Sequence, residues 1–180
     1  KAPWGFNSCS RHGNSTIDYR RVERLPPPGS GQIAAAMHAL TYLGPAQMTF
    51  DDILVLNVGL HYAPSPTQQR ELHLALQEVL SWWTAERAAG RAPVLLWRET
   101  TPQHFQGEGG FFPTDGFSTL TSRLQLTQEC RSLGEEEAAR RHTSGGQELV
   151  SLLRRHGVRI IDVFRPLATR SDEHPLVYYE

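Results

Sequence analysis

The chain has 180 residues, a formal charge of −1, and 39% hydrophobic against 21% charged residues. That length suits one domain with a sizeable core, and that balance excludes wholesale disorder and any global electrostatic pull toward nucleic acid or an anionic membrane. The longest apolar runs, near residues 53–56 and 94–97, are too short to span a bilayer. Lys1 is not preceded by an initiator Met or a signal-peptide pattern, so we expect either processing or a segment of something longer.

In chain order, Cys9 comes first; with Cys130 it makes two cysteines, too few for a disulfide framework but enough for one bridge. Cys9 with His12 is half of a metal-ligand spacing with no second half, so no metal site is expected. Asn14-Ser15-Thr16 fits the N-glycosylation pattern, which together with a bridge points to the secretory pathway. "STIDYRRV", residues 15–22, alternates with Ile17 and Tyr19 on one face and reads as a strand. "LPPPGSG" at 25–31 breaks the chain, and the Ala-rich run from Gln32 reads as a helix stopping at Gly44. "DDILVLNVG" from Asp51 is nearly continuous in branched residues, the pattern of a strand buried on both faces.

The plainest element starts at Ser65, an N-cap followed by Pro66 at the first helical position and Gln68 completing a capping box. Leu72, Ala75, Leu76, Val79, Leu80 and Trp83 form one stripe at helical spacing, and Gly90 ends the helix. "PVLLW" at 93–97 is the next strand, followed by an irregular Gly- and Thr-rich insert over 105–130. A helix over 146–157 and a strand over 158–163 complete the pattern. Helical crossovers between buried apolar strands imply a single α/β domain with a parallel sheet covered on both faces.

In open parallel sheets, ligands sit outside the carboxyl ends of the strands. Three polar clusters fall at such ends: Asn57 to Tyr62, Arg98 to His104, and Arg165 to Pro175. They deliver Asn57, His61, Arg98, His104, Asp172 and His174 to one edge. Blander readings stand beside this: Asn57 and Gly59 also suit a tight turn, and His61 next to Tyr62 also suits packing. His12, His38, His73, His142 and His156 read as surface or helix-face residues.

"DDILVLNVGLHY", "LWRETTPQHF" and "DVFRPLATRSDEHP" together resemble three successive blocks of the plant and algal PC-esterase proteins. These are the trichome-birefringence-like sugar O-acetyltransferases of the SGNH hydrolase superfamily, and the likeness runs over roughly residues 15 to 178. It implies a flavodoxin-like, three-layer parallel sheet with helices on both faces. It also implies an acyltransferase or acyl-esterase acting on cell-wall or glycoprotein glycans in the Golgi lumen, at the cell surface or outside the cell. No cofactor is implied beyond an acetyl donor as co-substrate, and partners would be a glycan and further segments or subunits of a longer extracellular protein, with no nucleic acid.

By this resemblance, Asn57 (side-chain amide) and Gly59 (backbone N–H) hold an oxyanion, Asp172 and His174 brace the catalytic site, and His61, Arg98 and His104 shape the substrate side. The family's Gly-Asp-Ser nucleophile motif and its Asp-x-x-His pair do not occur in this sequence; the nearest approach is Asp172-Glu173-His174. The resemblance therefore makes this chain the central part of a longer domain. The alternative is a non-catalytic extracellular glycan-binding or structural module that keeps the fold without the triad.

Overall fold

The structure, a computed structural model, describes residues 7–12, 15–20, 22, 24–43, 46–59, 62, 65–102 and 132–170. The chain divides into two compact units, one of residues 1–98 and 149–160, the other of residues 99–148 and 161–180.

In the first unit, β1 (Asn7–His12) and β2 (Ser15–Arg20) pair antiparallel, with Asn7 opposite Arg20 and His12 opposite Ser15. The strand read at 15–22 is thus present, but it belongs to a hairpin and not to the parallel sheet. A two-residue connection permits only antiparallel pairing, because parallel neighbours need a crossover of a dozen residues or so. The alternation of Ile17 and Tyr19 is real, yet their face is open: they are 69% and 61% exposed.

α1 (Ile33–Leu40) buries Ile33, Met37 and Leu40. It stops four residues before Gly44. Thr41 is buried, and both its N–H and its hydroxyl donate to the Met37 carbonyl, at 3.0 and 2.9 Å. The chain then turns extended, β3 (Tyr42–Leu43) pairing antiparallel with β4 (Ala46–Gln47). Arg20 of the hairpin donates to Asp18 and to the carbonyls of Ala39 and Tyr42, tying β2 to the end of α1.

β5 (Ile53–Leu56), β6 (Val94–Arg98) and β7 (Arg159–Ile161) form a three-stranded parallel sheet in the order β5-β6-β7. Ile53 pairs with Val94 and Leu56 with Trp97. Between β5 and β6 runs α2 (Pro66–Ala88), started by the Ser65 hydroxyl accepting from the Gln68 N–H at 3.3 Å and stopped before Gly90 at φ +71°. The Gln68 side-chain oxygen accepts from Arg24. All six residues of the stripe from Leu72 to Trp83 are buried. They pack with Met37 of α1, Leu56, Leu95, Trp97, Leu152, Leu153 and Val158 in one core. Each large side chain buried in this way stabilises the unit by about 1.5–3 kcal/mol relative to exposure. Trp83 also donates its indole N–H to the Pro93 carbonyl at 2.9 Å, satisfying a polar group inside that core.

β5 departs from expectation. Leu54 and Leu56 turn toward the helices, but Ile53 and Val55 are 59% and 49% exposed. The strand's continuous apolar run reflects a sheet with one face packed in this unit, not two.

In the second unit, Leu133, Ala138 and Ala168 form a small core with Phe164 against it. Its helix α3 (Glu135–Arg155), whose last turns belong to the first unit, begins at Glu135 and not near Gly146. Glu135, Glu136 and Glu137 lie in its first turn and Arg154 and Arg155 in its last, each matching the sign of the helix dipole there. A further short helix, α4 (Phe164–Ala168), occupies part of the stretch expected as a strand-exit loop. Its end is held by Leu133 N–H on the Ala168 carbonyl (2.9 Å) and the Ser132 hydroxyl on the Thr169 carbonyl (2.7 Å).

Candidate functional site

Because β5 and β6 are parallel and Leu56 pairs with Trp97, the next residues, Asn57 just past β5 and Arg98 at the last position of β6, come together at the sheet's carboxyl edge. The two exits are joined there. The Asn57 amide donates to the Arg98 carbonyl at 2.7 Å, both residues being half-buried. This bond extends the strand pairing by one side-chain rung past the last backbone pair. It also fixes the Asn57 amide, since one of its two hydrogens is committed to the carbonyl.

Beyond Asn57 the chain turns sharply. Val58 is buried, Gly59 has φ +151°, and the Gly59 carbonyl accepts from the Tyr62 N–H at 3.0 Å. A Cβ would strain that backbone, so glycine at this position is conformational as well as small. Tyr62 pegs the loop down: its ring is 1% exposed, and its hydroxyl accepts from the Leu25 N–H at 3.1 Å. The Arg24 guanidinium lies 5.3 Å from the ring centroid. Burial raises the phenol pKa above its ordinary value, and the Leu25 hydrogen bond and Arg24 only partly oppose the rise.

In the second unit, Glu99 performs a task that its sequence context does not announce. Its carboxylate accepts from the N–H groups of Val163 and Phe164 at 3.2 and 3.1 Å, satisfying donors at the start of α4. The Glu99 N–H donates to the Ile161 carbonyl at 3.2 Å. Nothing in the sequence near residue 99 signals a helix start some sixty residues later; only the chain path joins them.

Of the residues expected at a site, the structure brings Asn57 and Arg98 together and places Gly59 two residues beyond. His61, His104, Asp172 and His174 lie outside the described residues, as do Asn14 and Cys130. Cys9 stands opposite Asp18 in the hairpin register. Of the other histidines, His38 meets the Trp82 ring edge-on at 5.3 Å, and His156 Nδ1 lies 3.2 Å from the Thr84 hydroxyl. Among the described residues no group of three His, Cys, Asp or Glu side chains is arranged to hold a metal ion, and no helix is long and apolar enough to cross a membrane. Chemically, the carboxyl edge offers an oriented amide, a glycine turn without a Cβ, and a guanidinium-bearing residue: donors suited to a polarised carbonyl or an anion.

Comparison with protein-family models, with curated proteins and with solved structures finds no match.

Proposed function

We propose that the chain is part of an SGNH-type acyltransferase or acyl-esterase domain that acts on glycans in the secretory pathway. The observation that supports this reading is the bonded pair Asn57 and Arg98 at the carboxyl edge of a parallel sheet, where such folds place their chemistry. In this reading the Asn57 side-chain amide and the Gly59 N–H receive the oxyanion of a tetrahedral intermediate. Arg98, with His61 and His104, contacts the sugar or the acyl donor, and Asp172 and His174 steady the acid–base apparatus.

The mechanism requires a serine whose proton is taken by a histidine that an acid orients. The sequence holds no Gly-x-Ser-x-Gly or Gly-Asp-Ser motif, and in this reading the nucleophile and its base come from polypeptide beyond these residues. A three-layer sheet, with Ile53 and Val55 covered, belongs to the same proposal.

Release of acetate from acetylated glycans and from 4-nitrophenyl acetate tests it. The 180-residue chain alone gives no turnover above a heat-denatured control, whereas a longer polypeptide that adds Gly-Asp-Ser and Asp-x-x-His segments is active. In that polypeptide Asn57→Ala lowers kcat by about 10²–10³-fold. An inert longer polypeptide overturns the reading; so does turnover by the bare chain that His174→Ala abolishes, which would put the catalytic base inside these residues.

A further inference from the structure

We propose that the first unit binds a neutral oligosaccharide in a groove on the side of α2 turned away from the core. The groove is open, with a volume of about 670 Å³, and lies between the turn at 28–31, the start of α1 and α2. That size falls within the range of about 300–1,000 Å³ common for small-ligand sites. Its α2 wall is a second helical stripe, Leu74, Gln77, Glu78, Ser81 and Trp82, at spacings of three and four that keep side chains on one face.

The lining has an apolar part and a polar part. Pro28, Leu74 and Trp82 make the first, and Leu74 remains 39% exposed although it sits on a helix that buries its other leucines. The Trp82 indole N–H is buried with no partner among the described residues, so Trp82 offers the groove ring carbon and not its donor. Gln77, Glu78 and Ser81 make the polar part. Glu78 is held in place: one carboxylate oxygen accepts from the Gly29 N–H at 2.6 Å. Its other oxygen has no donor among the described residues. Ser81 donates its proton to the Gln77 carbonyl at 2.8 Å, which leaves its oxygen as an acceptor. Gln77 brings both a donor and an acceptor.

These features select the ligand. No Lys, Arg or His lines the groove, so phosphate or a uronate would meet Glu78 without a counter-charge. An ammonium group would satisfy Glu78 and the Gln77 and Ser81 oxygens, but it has no apolar ring face to lie on Trp82 and Leu74. A row of hydroxyls on a ring with an apolar C–H face fits the whole set, because each hydroxyl both donates and accepts and the ring can lie on Trp82 and Leu74. The opposite wall is preset: Gly29 and Gly31 have φ +76° and +70° in a turn preceded by three prolines, so little ordering is needed on binding. Gln77 lies eleven residues past the start of α2, about 16 Å along its axis. The groove is thus distinct from the carboxyl-edge pair, and the inference stands apart from the acyl-transfer reading.

Amide and indole NMR shifts of the 180-residue protein, titrated to about 10 mM ligand, test the inference. The ligands are cellotetraose, xylotetraose and mannotetraose, with tetragalacturonate and a lysine-containing, proline-rich decapeptide as the competing chemistries. At least one neutral tetrasaccharide shifts Gly29, Gly31 and residues 74–82. Gln77→Ala and Glu78→Ala, both at the protein surface, each weaken that binding by about five- to tenfold, the loss of one hydrogen bond. Trp82→Ala removes it. No shift with any neutral tetrasaccharide overturns the inference. So do equal or larger shifts with tetragalacturonate or the peptide, and so does binding that Gln77→Ala and Glu78→Ala leave unchanged.

Discussion

Replacing Asn57 tests the joint between the two strand exits in a way that separates a hydrogen bond from simple packing. Asn57→Ala removes the donor that meets the Arg98 carbonyl at 2.7 Å. Both residues are half-buried, so water reaches the carbonyl in part and this bond contributes about 1 kcal/mol to the loss, the worth of one ordinary hydrogen bond. For a chain of this length that corresponds to a fall in Tm of about 2–4 °C. Asn57→Asp keeps the shape but turns a donor into an acceptor facing an acceptor. At neutral pH the carboxylate leaves the carbonyl unpaired and repelled, and the loss rises to about 2–3 kcal/mol. Protonation restores a donor, so the folded-state pKa of the introduced carboxyl lies above the unfolded value of about 3.9. The folded variant then holds the proton more tightly than the unfolded chain, and its stability increases as pH falls through the raised pKa toward the unfolded value. Thermal unfolding followed by circular dichroism at neutral pH and at about pH 4 reads all three proteins. Equal losses for the Ala and Asp variants, with no pH dependence of their difference, would refute the reasoning and leave Asn57 a spacer.

Four further outcomes are expected. Trp83→Phe keeps most of the apolar contact but strands the buried Pro93 carbonyl, costing about 1–3 kcal/mol in urea unfolding; a change within a few tenths shows that water replaces the bond. Tyr62→Phe similarly strands the Leu25 N–H, and it removes a pH dependence. Because the folded phenol pKa is raised, the wild type loses stability as pH rises above the unfolded value near 10.0 while the variant does not lose that part, and parallel alkaline profiles would contradict this. Glu99→Ala leaves two α4 donors without their carboxylate, so hydrogen exchange at Val163 and Phe164 accelerates about fivefold or more; unchanged rates mean that the cap contributes nothing. Finally, the secretory reading expects Cys9 and Cys130 in disulfides, to each other or to cysteines elsewhere, and titration of two free thiols in the natively secreted protein counts against it.

The sequence by itself determined the elements whose signals are local. Ser65, Pro66 and Gly90 bracket α2 because a helix end must satisfy or dispense with its own backbone groups, and the stripe from Leu72 to Trp83 turned inward because helical spacing alone puts those residues on one face. The order strand, helix, strand from Ile53 to Arg98 likewise carried the parallel pairing, and with it the meeting of Asn57 and Arg98 at one edge. Tertiary structure decided what local pattern leaves degenerate. Alternation showed that Ile17 and Tyr19 share a face, but not that this face meets water, since exposure depends on what packs there. A continuous apolar run could not say that Ile53 and Val55 of β5 are exposed while Leu54 and Leu56 face the core. α1 ended early because the residues after Thr41 found a strand partner, and α3 began early, across two glycines that obscure its periodicity. Glu99 and Tyr62 owe their roles to partners 64 and 37 residues away, Val163 and Leu25. Such long-range bonds depend on where the chain path brings backbone donors, and side-chain identity at one position does not encode that path.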